Sequence, residues 1–95
     1  MSEAELERKV VAWAKANGVL TYKFSSPSQR GVPDRIFIGK GGVLFLELKA
    51  PGKEPTALQL REIKRINESS SHNVCAAWTG DFDVAVRMIR NVSLE

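Results

Sequence analysis

Near the start of the chain the apolar residues Leu6, Val10 and Trp13 recur at helical spacing, with Val11 and Ala14 beside them. This predicts an amphipathic helix from Ser2 to about Asn17. Ser2 followed three positions later by Glu5 makes a capping box, and Gly18 supplies the stop. The period then changes. "VLTYKF" predicts a strand, "SSPSQRGVP" a polar loop, and "DRIFI" and "VLFLEL" two β-rich runs separated by "GKGG", whose glycines permit the positive φ angles of a tight hairpin turn. After "APGKEP", Thr56 and Gln59 offer a second capping box for a helix carrying Leu60, Ile63 and Ile66, with Arg61, Lys64 and Arg65 outward. "NVCAAW" reads as a fourth strand, and Asp81 to about Asn91 as a last helix with Val84, Ala85, Met88 and Ile89 inward. The predicted order is αβββαβα, without repeats.

A symmetric hairpin about "GKGG" pairs Ile38 with Val43 and, stepping outward, Asp34 with Glu47. Alternation puts Val43, Phe45, Glu47 and Lys49 on one face and Leu44, Leu46 and Leu48 on the other. Both faces stay apolar until the strand's end, so this strand is expected to be central, with its charged end emerging into a cleft. Two ionised carboxylates held together repel, and a divalent cation resolves the conflict. Oxygen ligands select hard ions, Mg²⁺ or Mn²⁺, and the main-chain carbonyl of Leu48 is a further candidate oxygen. Such an ion activates water and neutralises charge in an in-line displacement, while Lys49 is placed to orient the water or stabilise developing charge. The chemistry this set implies is metal-dependent phosphodiester hydrolysis. Taken singly, Asp34 after Pro33 and the strand end "ELK" are ordinary structural features; their matched register is what argues for a site.

Composition narrows the class. The chain has 95 residues with 43% hydrophobic content, enough for one domain spanning 1–95 with a modest core. A net charge of +3 and a pI near 9.3 permit a polyanionic partner without establishing one. No apolar run approaches the roughly 20 residues of a membrane span. "MSEAELERK" reads as an acidic helix rather than a signal peptide, so a cytoplasmic protein of a bacterium or a virus-infected cell is expected. The single cysteine, Cys75, excludes an intrachain disulfide and a thiolate zinc site, and is expected as a small buried strand residue. The lone imidazole, His72, falls in a turn, and one histidine is too few for chemistry that pairs them. Trp13, Trp78 and Phe45 occupy inward positions of periodic elements and are expected in the core. Lys23, Ser26 and Arg30, around the loop before Asp34, are candidates for phosphate contacts, with a solvated loop the alternative.

"PD", an intervening strand, then "ELK" resembles the PD-(D/E)xK nuclease signature, with Asp34, Glu47 and Lys49 at its three defining positions. The wording "RGVPDRIF…FLELKAPG…TALQ" resembles more particularly the VRR-NUC family of virus-type replication and repair nucleases, and the resemblance covers essentially the whole chain. It implies an α/β, restriction-endonuclease-like αβββαβ core with a mixed central sheet flanked by helices. It also implies DNA hydrolysis with divalent metal: Asp34 and Glu47 would bind the ion and Lys49 would assist the water. Glu7 matches the acidic residue that Holliday junction resolvases carry on the first helix to complete the metal site. It is preferred over Glu3 and Glu5 because it borders the Leu6, Val10 stripe. Gln59 matches a glutamine thought to support the catalytic lysine, a role compatible with capping. No module for reading bases is visible, so the expected substrate is branched DNA such as a four-way junction, cut by a homodimer. Flap, nick or single-strand cleavage with the same site is the alternative, as is a non-catalytic nucleic-acid-binding domain.

Overall fold

Ser2 opens the first helix as its spacing predicts. In the computed structural model, which describes residues 1–95, α1 runs Glu3–Ala16, the Ser2 hydroxyl accepts from the Glu5 N–H at 3.1 Å, and the Ser2 N–H donates to Glu5 Oε1 at 3.0 Å. Gly18 ends it at φ 75°, a left-handed conformation that glycine adopts without steric cost. The chain then enters β1 (Leu20–Lys23), β2 (Arg35–Gly39) and β3 (Gly42–Leu48), crosses over through α2 (Ala57–Ser69), and returns as β4 (Val74–Thr79) before α3 (Phe82–Ile89). The sheet order is β1-β2-β3-β4, antiparallel across the first three strands and parallel between β3 and β4. The parallel pair needs a crossover of helical length, which α2 supplies.

The result is an α/β fold with a mixed four-stranded sheet. One face packs on α1 and α3: Leu6, Val10 and Ala14 meet Phe37, Leu44, Leu46, Leu48, Ala85 and Ile89 in the core. The other face is covered by α2, chiefly over β4. The outer edge of β4 is closed by Asn67, whose side chain accepts from the Ala76 N–H at 2.7 Å and donates to the Ala76 carbonyl at 2.8 Å, mimicking a further strand. No helix is long and apolar enough to cross a membrane.

Four local expectations are corrected. Of the turn's residues Gly42 alone has positive φ, at 157°, while Lys40 and Gly41 do not. What the turn's other glycines provide is space. A Cβ on Gly39 would run into the backbone of Ser93, one on Gly41 would approach Val92 and Glu95, and the Gly41 N–H donates to the Ser93 carbonyl at 3.0 Å. The last helix is correspondingly shorter than expected: α3 stops at Ile89 and a π-helical turn, Arg90–Leu94, lays the C-terminus against the hairpin with Ser93 fully buried. Leu60 is 46% exposed, whereas Glu62 beside Ile63 is buried. Finally, Trp13, Phe45 and Trp78 are only partly buried, and Cys75 likewise. Trp13 stacks under the Arg90 guanidinium at 5.5 Å, and Phe45 meets Phe24 edge-on at 5.2 Å.

Candidate active site

The hairpin register Arg35↔Leu46, Phe37↔Leu44 and Ile38↔Val43 continues outward to set Asp34, the residue before β2, opposite Glu47. Cross-strand partners share a face, so both carboxylates lie on the α2 side of the sheet while Leu46 and Leu48 fill the core on the other. Glu47 is 2% exposed and Asp34 is exposed, so one carboxylate sits in the floor of the site and the other at its mouth. Lys49, two residues on, returns to the same face with its ammonium 3.8 Å from Glu47 Oε2.

From the other side α2 reaches down through Gln59. Its Oε1 accepts the Thr56 N–H at 2.9 Å to complete the helix cap, while its Nε2 donates to Glu47 Oε2 at 3.2 Å. One side chain therefore anchors the helix start and fixes the carboxylate's rotamer. The two duties separate by mutation. Thr56→Ala is expected to cost about 1 kcal/mol of stability through the lost cap and leave cleavage near wild type. Gln59→Ala is expected to add a cleavage loss of about 10- to 100-fold, the usual cost of removing a support to a ligating carboxylate. Melting curves and initial rates of both variants check this.

Glu47 Oε1 is buried and has no hydrogen-bond partner. Burial is the main reason its carboxyl is pushed up from an ordinary 4.5 to about 7. The Asp34 charge raises it further, the Lys49 ammonium and the nearby Asp34 backbone N–H oppose the rise, and Glu3 adds to it. An orphaned buried carboxylate oxygen beside a second carboxylate suits a hard divalent cation, whose charge and coordination would relieve both the repulsion and the lost hydration. The residues able to hold one are Asp34, Glu47 and Leu48. Leu48 ends β3 with its side chain in the core, which leaves only its main-chain oxygen to serve.

The structure does not bring Glu7 to this cluster. Arg35 and Lys23 follow the core-face register, and Glu7 is bound to them there, accepting from Arg35 Nε at 2.8 Å and lying 3.6 Å from Lys23 Nζ. It therefore stands behind the sheet from Glu47. No third Asp, Glu, His or Cys closes with the pair into a tight group. The carboxylate of α1 whose charge reaches Glu47 is Glu3, at the helix start. The three loop candidates are likewise dispersed: Lys23 sits with Glu7, Ser26 lines a groove between Phe24, Phe45 and α2, and Arg30 is exposed. One tether of this loop was not anticipated. Gln29 donates to the buried Glu62 of α2 at 3.2 Å, and Glu62 also pairs with Arg65 at 3.0 Å. The signal for it is the Gln59, Glu62 spacing, which sets both on one helical face.

No family model matches the chain. It is similar to "Putative nuclease p44" of Acyrthosiphon pisum secondary endosymbiont phage 1, at 45% identity over 65 residues that cover 67% of this chain and 70% of that protein. A solved structure described as "VRR_NUC domain" superposes with a TM-score of 0.78 at 26% identity, covering 93% of this chain and 94% of the other. The chain belongs to the VRR-NUC family. A second solved structure, "VRR_NUC domain protein", matches in fold alone, with a TM-score of 0.79 at 20% identity over 97% of this chain and 88% of that one. As a VRR-NUC protein the chain is a nuclease, and DNA is its implied substrate. The sheet end carrying Asp34, Glu47 and Lys49 is the candidate for its chemistry.

Proposed function

We propose that this VRR-NUC protein is a structure-selective endodeoxyribonuclease that uses Mg²⁺ or Mn²⁺ to cut branched DNA in the cytoplasm of a bacterial or virus-infected cell. The observation that supports it most is the buried, unpartnered Oε1 of Glu47 set opposite Asp34, a geometry that is costly unless a cation completes it. Asp34, Glu47 and the Leu48 carbonyl would hold the ion. When bound, it supplies Lewis-acid activation of water and of the phosphoryl group. The protein's own groups do the rest. Gln59 keeps Glu47 from turning away, and the Lys49 ammonium orients the attacking water and offsets charge growing on the non-bridging phosphate oxygens. Water is limited at the floor by the core side chains beneath Glu47.

The reading extends to a homodimer, since paired incision of a two-fold junction needs two sites. The sheet face left open beside α2 supports it: Leu20 and Tyr22 are 50% and 56% exposed there, next to the partly buried Ile36, Ile38 and Phe45. Burying this patch against a second copy would join two sheets through their uncovered faces. Sedimentation at micromolar concentration is expected to give a dimer, and a monomer both alone and on junction DNA would remove the paired-incision model.

Cleavage of end-labelled four-way junction, flap, nicked duplex and single strand, with Mg²⁺, Mn²⁺ or chelator, tests the function. Junction cutting that needs both metal and Asp34 is the expected result. Equal cutting in chelator would overturn the metal reading, and a preference for flaps or single strands would replace the junction as substrate.

A further inference from the structure

Trp78 is the largest side chain on the sheet that the core does not use. The core consists of ten buried residues with Trp13, Cys75, Ala77, Phe82, Met88 and Val92 packed against it, and Trp78 is outside both sets. Its register partner is Glu47, so the indole rises from the same face as the candidate site, one strand away, about 5 Å across the ladder. There it walls a groove of about 440 Å³ with Pro51, Gly52, Lys53, Glu54, Gly80 and Asp81.

The groove's position follows from the chain. Gly80 lets the loop after β4 run against the loop after β3: a Cβ there would stand 3.1 Å from the Lys49 carbonyl and 3.3 Å from that of Ala50. Gly52 takes φ 85° to turn the second loop back, closed by the Lys53 N–H to the Ala50 carbonyl at 2.9 Å. The groove therefore lies beside the Lys49 main chain, with an aromatic wall, a lysine on its rim and an exposed carboxylate at Glu54. The second carboxylate of the lining, Asp81, is engaged as a helix cap, its Oδ2 accepting the Val84 N–H at 3.0 Å.

We propose that this groove takes one unpaired nucleobase of the DNA strand being cut, stacked on Trp78, while its phosphates run past Lys49 and Lys53. The proposal rests on the nuclease reading of the Asp34, Glu47 site and adds how the substrate is chosen. A flat apolar ring with polar edges suits an indole wall in an otherwise polar groove, and any base provides the π-face. Glu54 repels a phosphate but accepts an N–H from a base edge, which favours the base over the backbone inside the groove. Intact duplex keeps its bases stacked internally, so only DNA that can release a base beside the cut, at a branch point or in a single strand, fills the site. Structure selectivity then needs no base-reading module.

The test has two arms. In Trp13→Phe protein, Trp78 is the only tryptophan, and oligothymidylate in chelator is expected to quench its fluorescence whereas an abasic oligomer of equal length is not. Quenching by both alike, or by neither, would overturn the proposal. In the second arm, Trp78→Ala is expected to weaken binding of junction and single strand by about 5- to 150-fold, the ratio given by base stacking of about 1–3 kcal/mol. Binding of intact duplex should be unchanged and Trp78→Phe should restore most of the loss. An equal loss on duplex would show that Trp78 is only structural. If Trp78→Ala does not fold, the fluorescence arm decides. A wild-type protein that cuts nothing would instead count against the nuclease chemistry, and the fluorescence readout does not depend on it.

Discussion

Alanine at Asp34 or glutamine at Glu47 is expected to lower metal-dependent cleavage by roughly 10³-fold, with neither variant unfolding. A bound divalent ion contributes several kcal/mol of transition-state stabilisation, and each 1.36 kcal/mol is tenfold in rate, so about 4 kcal/mol gives that factor. Asp34 is exposed, which limits the stability lost with it, and Glu47→Gln keeps the shape of a buried side chain while removing its charge. Loss of rate with intact melting behaviour would therefore report chemistry rather than collapse. Lys49 differs in kind: its ammonium touches Glu47 rather than completing the ligand set, so Lys49→Met should cut slowly but still bind Mn²⁺, whereas Asp34→Ala should lose both. Calorimetric titration with Mn²⁺ alongside initial rates separates the cases. Cleavage within tenfold of wild type in Asp34→Ala would end the assignment.

The hairpin is legible in sequence because strand alternation and turn symmetry are both short-range rules. Once Ile38 faces Val43, the positions of Asp34 and Glu47 follow. Both capping boxes are legible for the same reason, each being settled within four residues. What sequence periodicity does not resolve are contacts between elements far apart in the chain. Glu3, Glu5 and Glu7 occupy one and a half turns of α1, and which of them approaches the site depends on how that helix crosses the sheet. Because α1 lies over the core face, Glu7 meets Arg35 behind the sheet and the charge of Glu3, at the helix tip, reaches Glu47. On α2 an apolar stripe including Leu60 suggests the wrong face, since the inward face grips polar groups through Gln59 and Glu62. The glycines of "GKGG" imply a turn, but their reason is a terminus more than fifty positions away that packs where side chains would stand. Trp78 reads as core because alternation shows that a residue faces inward, and not whether anything covers it.

Between pH 4.5 and 7 the metal-free protein is expected to lose about 3 kcal/mol of stability. The unfolded Glu47 carboxyl releases its proton near 4.5, while the folded one holds it up to about 7, chiefly because burial disfavours the charge. Within that window the native state binds more protons than the unfolded state, so raising the pH draws the equilibrium toward unfolding. The stabilisation is complete below 4.5, is lost as pH rises through the folded value, and is flat above it. At 1.36 kcal/mol per pH unit the loss is a large share of the roughly 5–15 kcal/mol that a small domain has, and corresponds to a melting-temperature drop on the order of 10–20 °C. Glu5, whose carboxyl its Ser2 capping bonds pull below 4.5, acts outside this window and with the opposite sign. Two comparisons isolate Glu47. Glu47→Gln should show a flat profile over the same range and exceed the wild type at pH 8. Excess Mg²⁺ should restore the wild type at pH 8 by about 2.7 kcal/mol at a hundred times its Kd, because the ion binds the folded carboxylate that the proton has left. A wild-type stability in chelator that holds constant or rises from pH 4.5 to 7 would mean that Glu47 ionises freely in the fold. The reason to place a cation beside it would then be gone.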